Sequence, residues 1–382
     1  MIHRERLVDQ FLELVRIGSV SKREGEVARR LTATLQDMGA QVEVDDAGER
    51  VGADTGNLIA RFPGTISDAA PLLLCSHMDT VAPGDHPNPV VDGDVIRSDG
   101  TTVLGGDDKA GIGAILEAVR AVHAHGVPHG PLEVVFTICE EIGLVGAKHL
   151  DVGRLRARRG LVLDCDGVHE LITRAPAANR MQVTVHGLEA HAGLCPEQGI
   201  SAIRVAAEAI AAMRLGRVDG ETTANVGVIQ GGLATNIVPN RVVLRAETRS
   251  LDPAKLAGQT EHMVQCFHEA AARHRVTVEG RLHTARAEAR VERDYERMAV
   301  ADDAAIVQIV RRAAERRGVP LRIRATGVGC DGNVFNARGL EVANLGCGMR
   351  EIHTVHEWVD ARDMVATAAL LVETIRLAAA RD

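Results

Sequence analysis

Between residues 24 and 38, Val27, Ala28, Leu31, Leu35 and Met38 recur at the spacing of an amphipathic helix. Farther on, short apolar runs each end in polar or acidic residues: LLLC at 72–75, VVFTIC at 134–139 and LVL at 161–163. Helical spacing returns between the first two runs, in KAGIGAILEAVRAVH at 109–123. Continuous apolar runs alternating with helices predict strands buried on both faces, hence an α/β layer.

The pattern changes near residue 176. MQVTVHG (181–187) alternates like a half-exposed strand, and an Ala-rich helix follows at 199–214. ANVGVIQ (224–230) and RVVLRAETR (241–249) read as strands beside turn signals at Gly231-Gly232 and Pro239-Asn240. A helix at 253–274 and a strand, VTVEGRL at 276–282, complete a β-α-β-β-α-β order. That order is the split βαβ, which can stand as its own domain. After about 290 the α/β pattern resumes with helix 301–317, strand 321–325, a glycine turn, strand 341–345 and a helix at 361–378. The expected organisation is one α/β domain built from 1–175 and 291–382, with a ferredoxin-like α+β domain inserted at 176–290.

At 382 residues the chain is longer than one ordinary core. An apolar fraction of 46% and a charged fraction of 25% are those of a globular protein. No apolar run approaches the roughly 18 residues of a membrane span, and MIHRERLVDQF is too charged for a signal peptide. The net charge of −8 argues against a nucleic-acid partner, which calls for a basic face. Seven scattered cysteines without a CxxC pair predict free thiols in a reducing, cytoplasmic compartment. Of the 16 histidines, His123, His125 and His129 lie in polar stretches and read as surface residues.

Candidate chemistry collects where the apolar runs end, the place at which an α/β sheet builds its sites. His77 and Asp79 stand two residues apart, on one side of an extended backbone. Such a pair lets one ring nitrogen meet a metal while the acid holds the other, although a loop salt bridge is the blander reading. Gly105-Gly106-Asp107-Asp108-Lys109 opens a helix, where free N–H groups favour acidic side chains. Glu140 and Glu141 are adjacent carboxylates whose repulsion calls for a cation or a raised pKa. Asp164 ends the LVL run, and His353 and His356 lie in IHTVHEW near the last strand. Carboxylates and imidazoles in this number suit two zinc-like ions bridged by a carboxylate and a water.

These segments carry a resemblance. SHMDTVAPG (76–84), LGGDDKAG (104–111), EEIGLVGAK (140–148), Leu163-Asp164, HAGLCPEQGISAI (191–203), GGLATNIVPN (231–240) and IHTVHEW (352–358) together resemble the dinuclear zinc exopeptidases and aminoacylases. Within them the chain looks most like the peptidase T, or tripeptide aminopeptidase, branch, from about residue 5 to 378. The resemblance implies a zinc-exopeptidase-type catalytic domain with an inserted lid, and two divalent ions, zinc ahead of cobalt or manganese. It implies His77 and Asp164 on one metal, Glu141 and His353 on the other, and Asp107 rather than Asp108 bridging them. Asp166 remains an alternative to Asp164, and His356 is left outside the ligand set. Asp79 would clamp the His77 ring, and Glu140 would be the general base. A cis peptide is implied between Asp107 and Asp108. From the lid, His191 would polarise the substrate carbonyl, Arg249 would grip a terminal carboxylate, and Asn236 would lie beside them. The lid would move as a body and its edge strand would pair with a second copy, giving a homodimer.

Two other motifs weigh little. Gly327-Val328-Gly329-Cys330-Asp331-Gly332 matches a dinucleotide fingerprint, but no second strand end supplies its acid. Cys139 beside Glu140 lacks surroundings that would lower a thiol pKa. The expected partner is a short peptide, and the expected reaction removes the N-terminal residue of tripeptides. Rival readings are a carboxypeptidase, a dipeptidase, an N-acyl amino acid deacylase, or a metal-binding regulatory protein without catalysis.

Overall fold

Strand Leu72–His77, buried along its whole length, lies inside a nine-stranded sheet. The strand order is Gln41–Val44, Leu58–Phe62, Leu132–Thr137, Leu72–His77, Arg159–Val162, Glu341–Cys347, Val168–Ala175 and Met298–Ala299. Arg322–Ala325 also pairs with Val168–Ala175. The four strands from Leu132–Thr137 to Glu341–Cys347 are parallel to one another, which explains why they read as apolar runs rather than alternations. The computed structural model describes residues 1–66 and 68–380. Its chain forms two compact units, and this sheet belongs to the first: Met1–Ala175, Met298–Thr326 and Cys330–Asp382.

Helices Arg4–Val15, Gly106–Ala124 and Ala361–Ala378 pack on one another in that unit. Arg4–Val15 lies outside the expected elements, although its buried Leu7, Phe11 and Leu14 have helical spacing. Arg6 ties it to Gly106–Ala124, donating from Nε and Nη2 to the buried Glu117 carboxylate at 2.8 Å each. His129 is not the surface residue expected: it is buried, and its Nδ1 donates to Gly130 O at 2.7 Å. Among the described residues no helix is long and apolar enough to cross a membrane, and all seven cysteines are free.

The second unit, Pro176–Arg297 with Gly327–Gly329, holds a five-stranded antiparallel sheet. Its order is Gly216–Arg217, Thr222–Gly231, Arg241–Ser250, Ala177–His186 and Arg286–Tyr295. Helices Ala202–Ala212 and Pro253–Arg273 cover one face, over Val183, Val185, Val242 and Leu244. The other face presents Arg180, Gln182, Arg245, Glu247, Arg290 and Glu292 around a 460 Å³ cavity.

The β-α-β-β-α-β order is present, but its last strand is not the expected 276–282. That segment forms a separate hairpin, Arg275–Val278 with Arg281–Thr284, turning at Glu279 and Gly280 with φ of 49° and 78°. Arg286–Tyr295 completes the sheet instead. Its sequence, RAEARVERDY, alternates only the small apolar residues Ala287, Ala289 and Val291 with charges, and charge on an edge strand discourages further pairing.

Candidate active site

All but one of the chemical side chains of the first unit stand at or just past the end of a strand, where the backbone leaves the sheet. His77 is the last residue of Leu72–His77, and Asp164 follows Arg159–Val162. Glu140 and Glu141 follow Leu132–Thr137 through Cys139, whose φ is 53°. His353, with φ 62°, lies on the turn after Met349–Arg350. Asp107 enters from helix Gly106–Ala124, whose first turn is non-helical at Asp107 and Asp108, with a cis peptide between them.

Asp107 is the centre of the arrangement. Its Oδ1 lies 3.0 Å from His77 Nε2 and its Oδ2 lies 3.3 Å from His353 Nε2. Glu141 Oε2 is 2.9 Å from the same His353 nitrogen, and Asp164 Oδ1 is 3.8 Å from His77 Nε2. His77, Asp107 and Asp164 form one group of donors close enough to share an ion. Asp107, Glu141 and His353 form a second, with Asp107 common to both. Asp166 turns away to Arg324, at 2.6 Å.

The donor set fits a pair of divalent cations. His77 Nδ1 donates to the Asp79 carbonyl oxygen at 3.0 Å, which leaves Nε2 with its lone pair toward Asp107 and Asp164. Glu141 Oε1 is buried with no hydrogen-bond partner among the described residues, an orphan oxygen that a cation would satisfy.

Asp79 holds more than the ring. Its carboxylate Oδ1 is 3.4 Å from His77 Nδ1, farther than its own carbonyl. Closer bonds reach it from Glu140 N at 2.9 Å, Glu141 N at 3.2 Å and Ser21 Oγ at 2.6 Å. The main chain therefore clamps the imidazole, and the side chain fixes the backbone of the glutamate pair.

Burial without full compensation sets the electrostatics. Burial, then the nearby Asp164, pushes the Glu140 pKa well above the carboxylate range. Burial raises Glu141 to about 7 and Asp164 to about 6. His353 rises to about 10 through its bonds to Asp107 and Glu141. Burial opposes charge on His77, yet Asp107, Asp164 and Asp79 hold its pKa well above the usual value. Burial likewise pushes the Cys139 thiol up, so nothing makes it a nucleophile at neutral pH.

A supporting layer lies behind these groups, and sequence reading missed it. Glu357 accepts from Gly105 N and Asp107 N at 2.8 Å each, holding the Asp107 turn in place. Lys109, fully buried, donates to Ser19 Oγ at 2.9 Å, and Ser19 Oγ donates to Met78 O at 2.8 Å. Glu24 accepts from Cys139 N at 2.9 Å. Asp331, buried at the start of helix Asp331–Ala337, is 2.5 Å from Thr137 Oγ1. The segment Ser19–Glu24 thus braces the His77, Asp107 and Glu140 turns together. The signal available was its density of short polar residues ahead of a helix.

In the second unit, His191 Nδ1 accepts from Gly193 N and Leu194 N at 3.1 Å each, which places the proton on Nε2 as an exposed donor. Asn236 O accepts from Ala192 N at 2.9 Å, so these two turns adjoin. Arg249 is elsewhere. It donates from Nε and Nη2 to Glu247 at 3.0 Å each, and Glu247 thereby orients its fork. Along strand Arg241–Ser250, Arg249 pairs opposite Ala178, whereas the His191 turn lies beyond the end where Arg241 meets His186. Eight residues of strand span roughly 27 Å, and an extended tripeptide spans only about 10 Å. Within one chain the strand register therefore sets Arg249 and the His191 turn toward opposite ends of Arg241–Ser250.

The chain is 40% identical over 380 residues to YqjE of Bacillus subtilis (strain 168), an uncharacterized protein, covering 99% of this chain and 100% of that one. Peptidase T of Vibrio cholerae is 26% identical over 356 residues, 84% of each chain. The crystal structure of the aminopeptidase PepT from Bacillus cereus is similar, with 40% identity and a TM-score of 0.88 over 99% of this chain and 100% of that one. A tripeptidase from Staphylococcus aureus matches with 36% identity and a TM-score of 0.92 over 99% of each. Residues 73–377 match the family described as peptidase family M20/M25/M40, and the chain belongs to that family.

Proposed function

We propose that this protein is a cytoplasmic two-metal aminopeptidase that removes the N-terminal residue of tripeptides, with Glu140 as general base. The observation that carries this reading is Asp107, whose two carboxylate oxygens face two separate donor groups. Bound there, two divalent ions, zinc by the mixed nitrogen and oxygen donors, would acidify water and polarise the scissile carbonyl. His77 and Asp164 would hold one ion, Glu141 and His353 the other. Glu140, buried and held by Asp79 at its backbone, takes the proton from water and returns it to the leaving amine. The aminopeptidase and tripeptidase names of the similar structures support the substrate class.

His191 Nε2–H is a donor suited to a developing oxyanion. Arg249 spends two of its five N–H groups on Glu247, so its outer edge can take a terminal carboxylate. Asn236 lies in the turn bonded to the one that carries His191. A homodimer reconciles the distance between them, because a second copy supplies the residue that one chain places too far away. Strand Thr222–Gly231 offers the edge for it: its neighbour pairs only at Thr223 and Ala224. Beyond that pairing Val228, Ile229 and Leu233 are exposed, 39%, 50% and 82%. The test is amino-acid release from tripeptides, their N-acetylated and C-amidated forms, dipeptides and N-acyl amino acids. Free tripeptides should be cleaved fastest, and preference for N-acyl amino acids would overturn the reading.

A further inference from the structure

Away from these residues, the first unit contains a second cavity, of 520 Å³, against strands Val168–Ala175 and Arg322–Ala325 and helix Ala305–Arg317. Three arginines line it: Arg174, Arg311 and Arg324. Arg324 is matched by Glu170 and Asp166. Arg174 and Arg311 form no ion pair or hydrogen bond from their guanidinium groups to any described residue, and Arg311 Nε is buried without a partner. Asp302 also lines the cavity, yet it pairs with neither. Arg174 is exposed at the cavity mouth and Arg311 is half-buried, and the buried unpaired Arg311 N–H calls for a ligand acceptor. Val300, Leu321 and Ile323 supply an apolar wall beside them.

We propose that this cavity is a binding site for a small phosphate monoester, its phosphate held by Arg174 and Arg311 and its organic part against Val300, Leu321 and Ile323. The chemistry is specific. A phosphate carries close to two negative charges at neutral pH and three acceptor oxygens, matching two planar forks, whereas one carboxylate neutralises only one. The cavity is larger than a bare phosphate requires and lies in the range of organic ligand sites.

The experiment is calorimetric titration of the purified full-length protein with phenyl phosphate, inorganic phosphate and benzoate, repeated on Arg311→Met and Arg174→Met. Neither residue belongs to the proposed catalytic machinery, so tripeptide hydrolysis without added anion should be unchanged in both variants and serves as the folding control. Because the Arg311 Nε–H is unpaired, its replacement removes no existing bond. Phenyl phosphate should bind more tightly than inorganic phosphate, benzoate should bind least, and each variant should weaken phenyl phosphate about tenfold or more. Absence of heat with phenyl phosphate at millimolar concentration would overturn the proposal. So would affinity unchanged in both variants, which would place the anion elsewhere, or benzoate binding as tightly as phenyl phosphate.

Discussion

Glu24 sits behind the glutamate turn with one carboxyl oxygen on Cys139 N and the other buried and unpartnered. Burial, then the charge of Asp79, raises its pKa to about 7 from 4.5. A folded-state pKa above the unfolded value means that its contribution to stability is present in full below about pH 4.5. That contribution is lost as pH rises through about 7. Glu24→Gln keeps the acceptor and removes the charge, so thermal unfolding should show a smaller loss of stability between pH 5 and 8 than in the wild type, roughly the window set by that shift. Glu24→Ala should lower kcat about tenfold, near 1.4 kcal/mol, by releasing Cys139, while Glu24→Gln restores it. Equal kcat in both variants would remove Glu24 from the positioning of Glu140. Residues such as His77, Asp107 and Asp164 were legible because each sits beside an apolar run or at a helix start, where sequence alone marks the sheet edge. Glu24 and Glu357 were not, because their partners are distant in sequence: Glu24 meets Cys139 at a separation of 115 residues and Glu357 meets Asp107 at 250.

The two edges of the second unit's sheet behave differently. Arg286–Tyr295 carries charges along most of its length, whereas Thr222–Gly231 exposes Val228 and Ile229. Ile229→Lys copies the charged edge onto the apolar one and should convert a dimer to a monomer at micromolar concentration, as read by analytical ultracentrifugation. A wild-type monomer, or a variant that stays dimeric, would refute pairing through this strand. The glycine-rich turn at 327–332 has a packing role instead of a nucleotide one: a Cβ on Gly329 would lie 2.5 Å from the Tyr295 ring. Gly329→Ala should therefore destabilise by about 1–3 kcal/mol in thermal unfolding; an unchanged midpoint would contradict that contact. Helices and buried strands were legible from their periodicity. Arg286–Tyr295 was not, because its alternation rests on small residues, Ala287, Ala289 and Val291, set between charges, and the nearby VTVEGRL, which forms a hairpin, carries the stronger strand pattern.

At the scale of the whole molecule, the proposed preference for tripeptides calls for recognition of both substrate ends. If Arg249 takes the terminal carboxylate, Arg249→Ala should lower kcat/KM on free tripeptides about ten- to a hundredfold and leave their C-terminal amides nearly unaffected. Equal loss on both would assign Arg249 a structural role through Glu247. In the proposed mechanism Asp107 would join two cation sites, and Glu140 would move the proton without holding either ion. The most direct measurement is metal content per chain beside tripeptide turnover, on the wild type, Glu140→Gln and Asp107→Asn prepared alike. Glu140→Gln should retain the wild-type metal content and lose about a hundred- to ten-thousandfold in turnover, while Asp107→Asn should lose metal. Wild-type turnover in Glu140→Gln, or loss of both ions from it, would contradict the account.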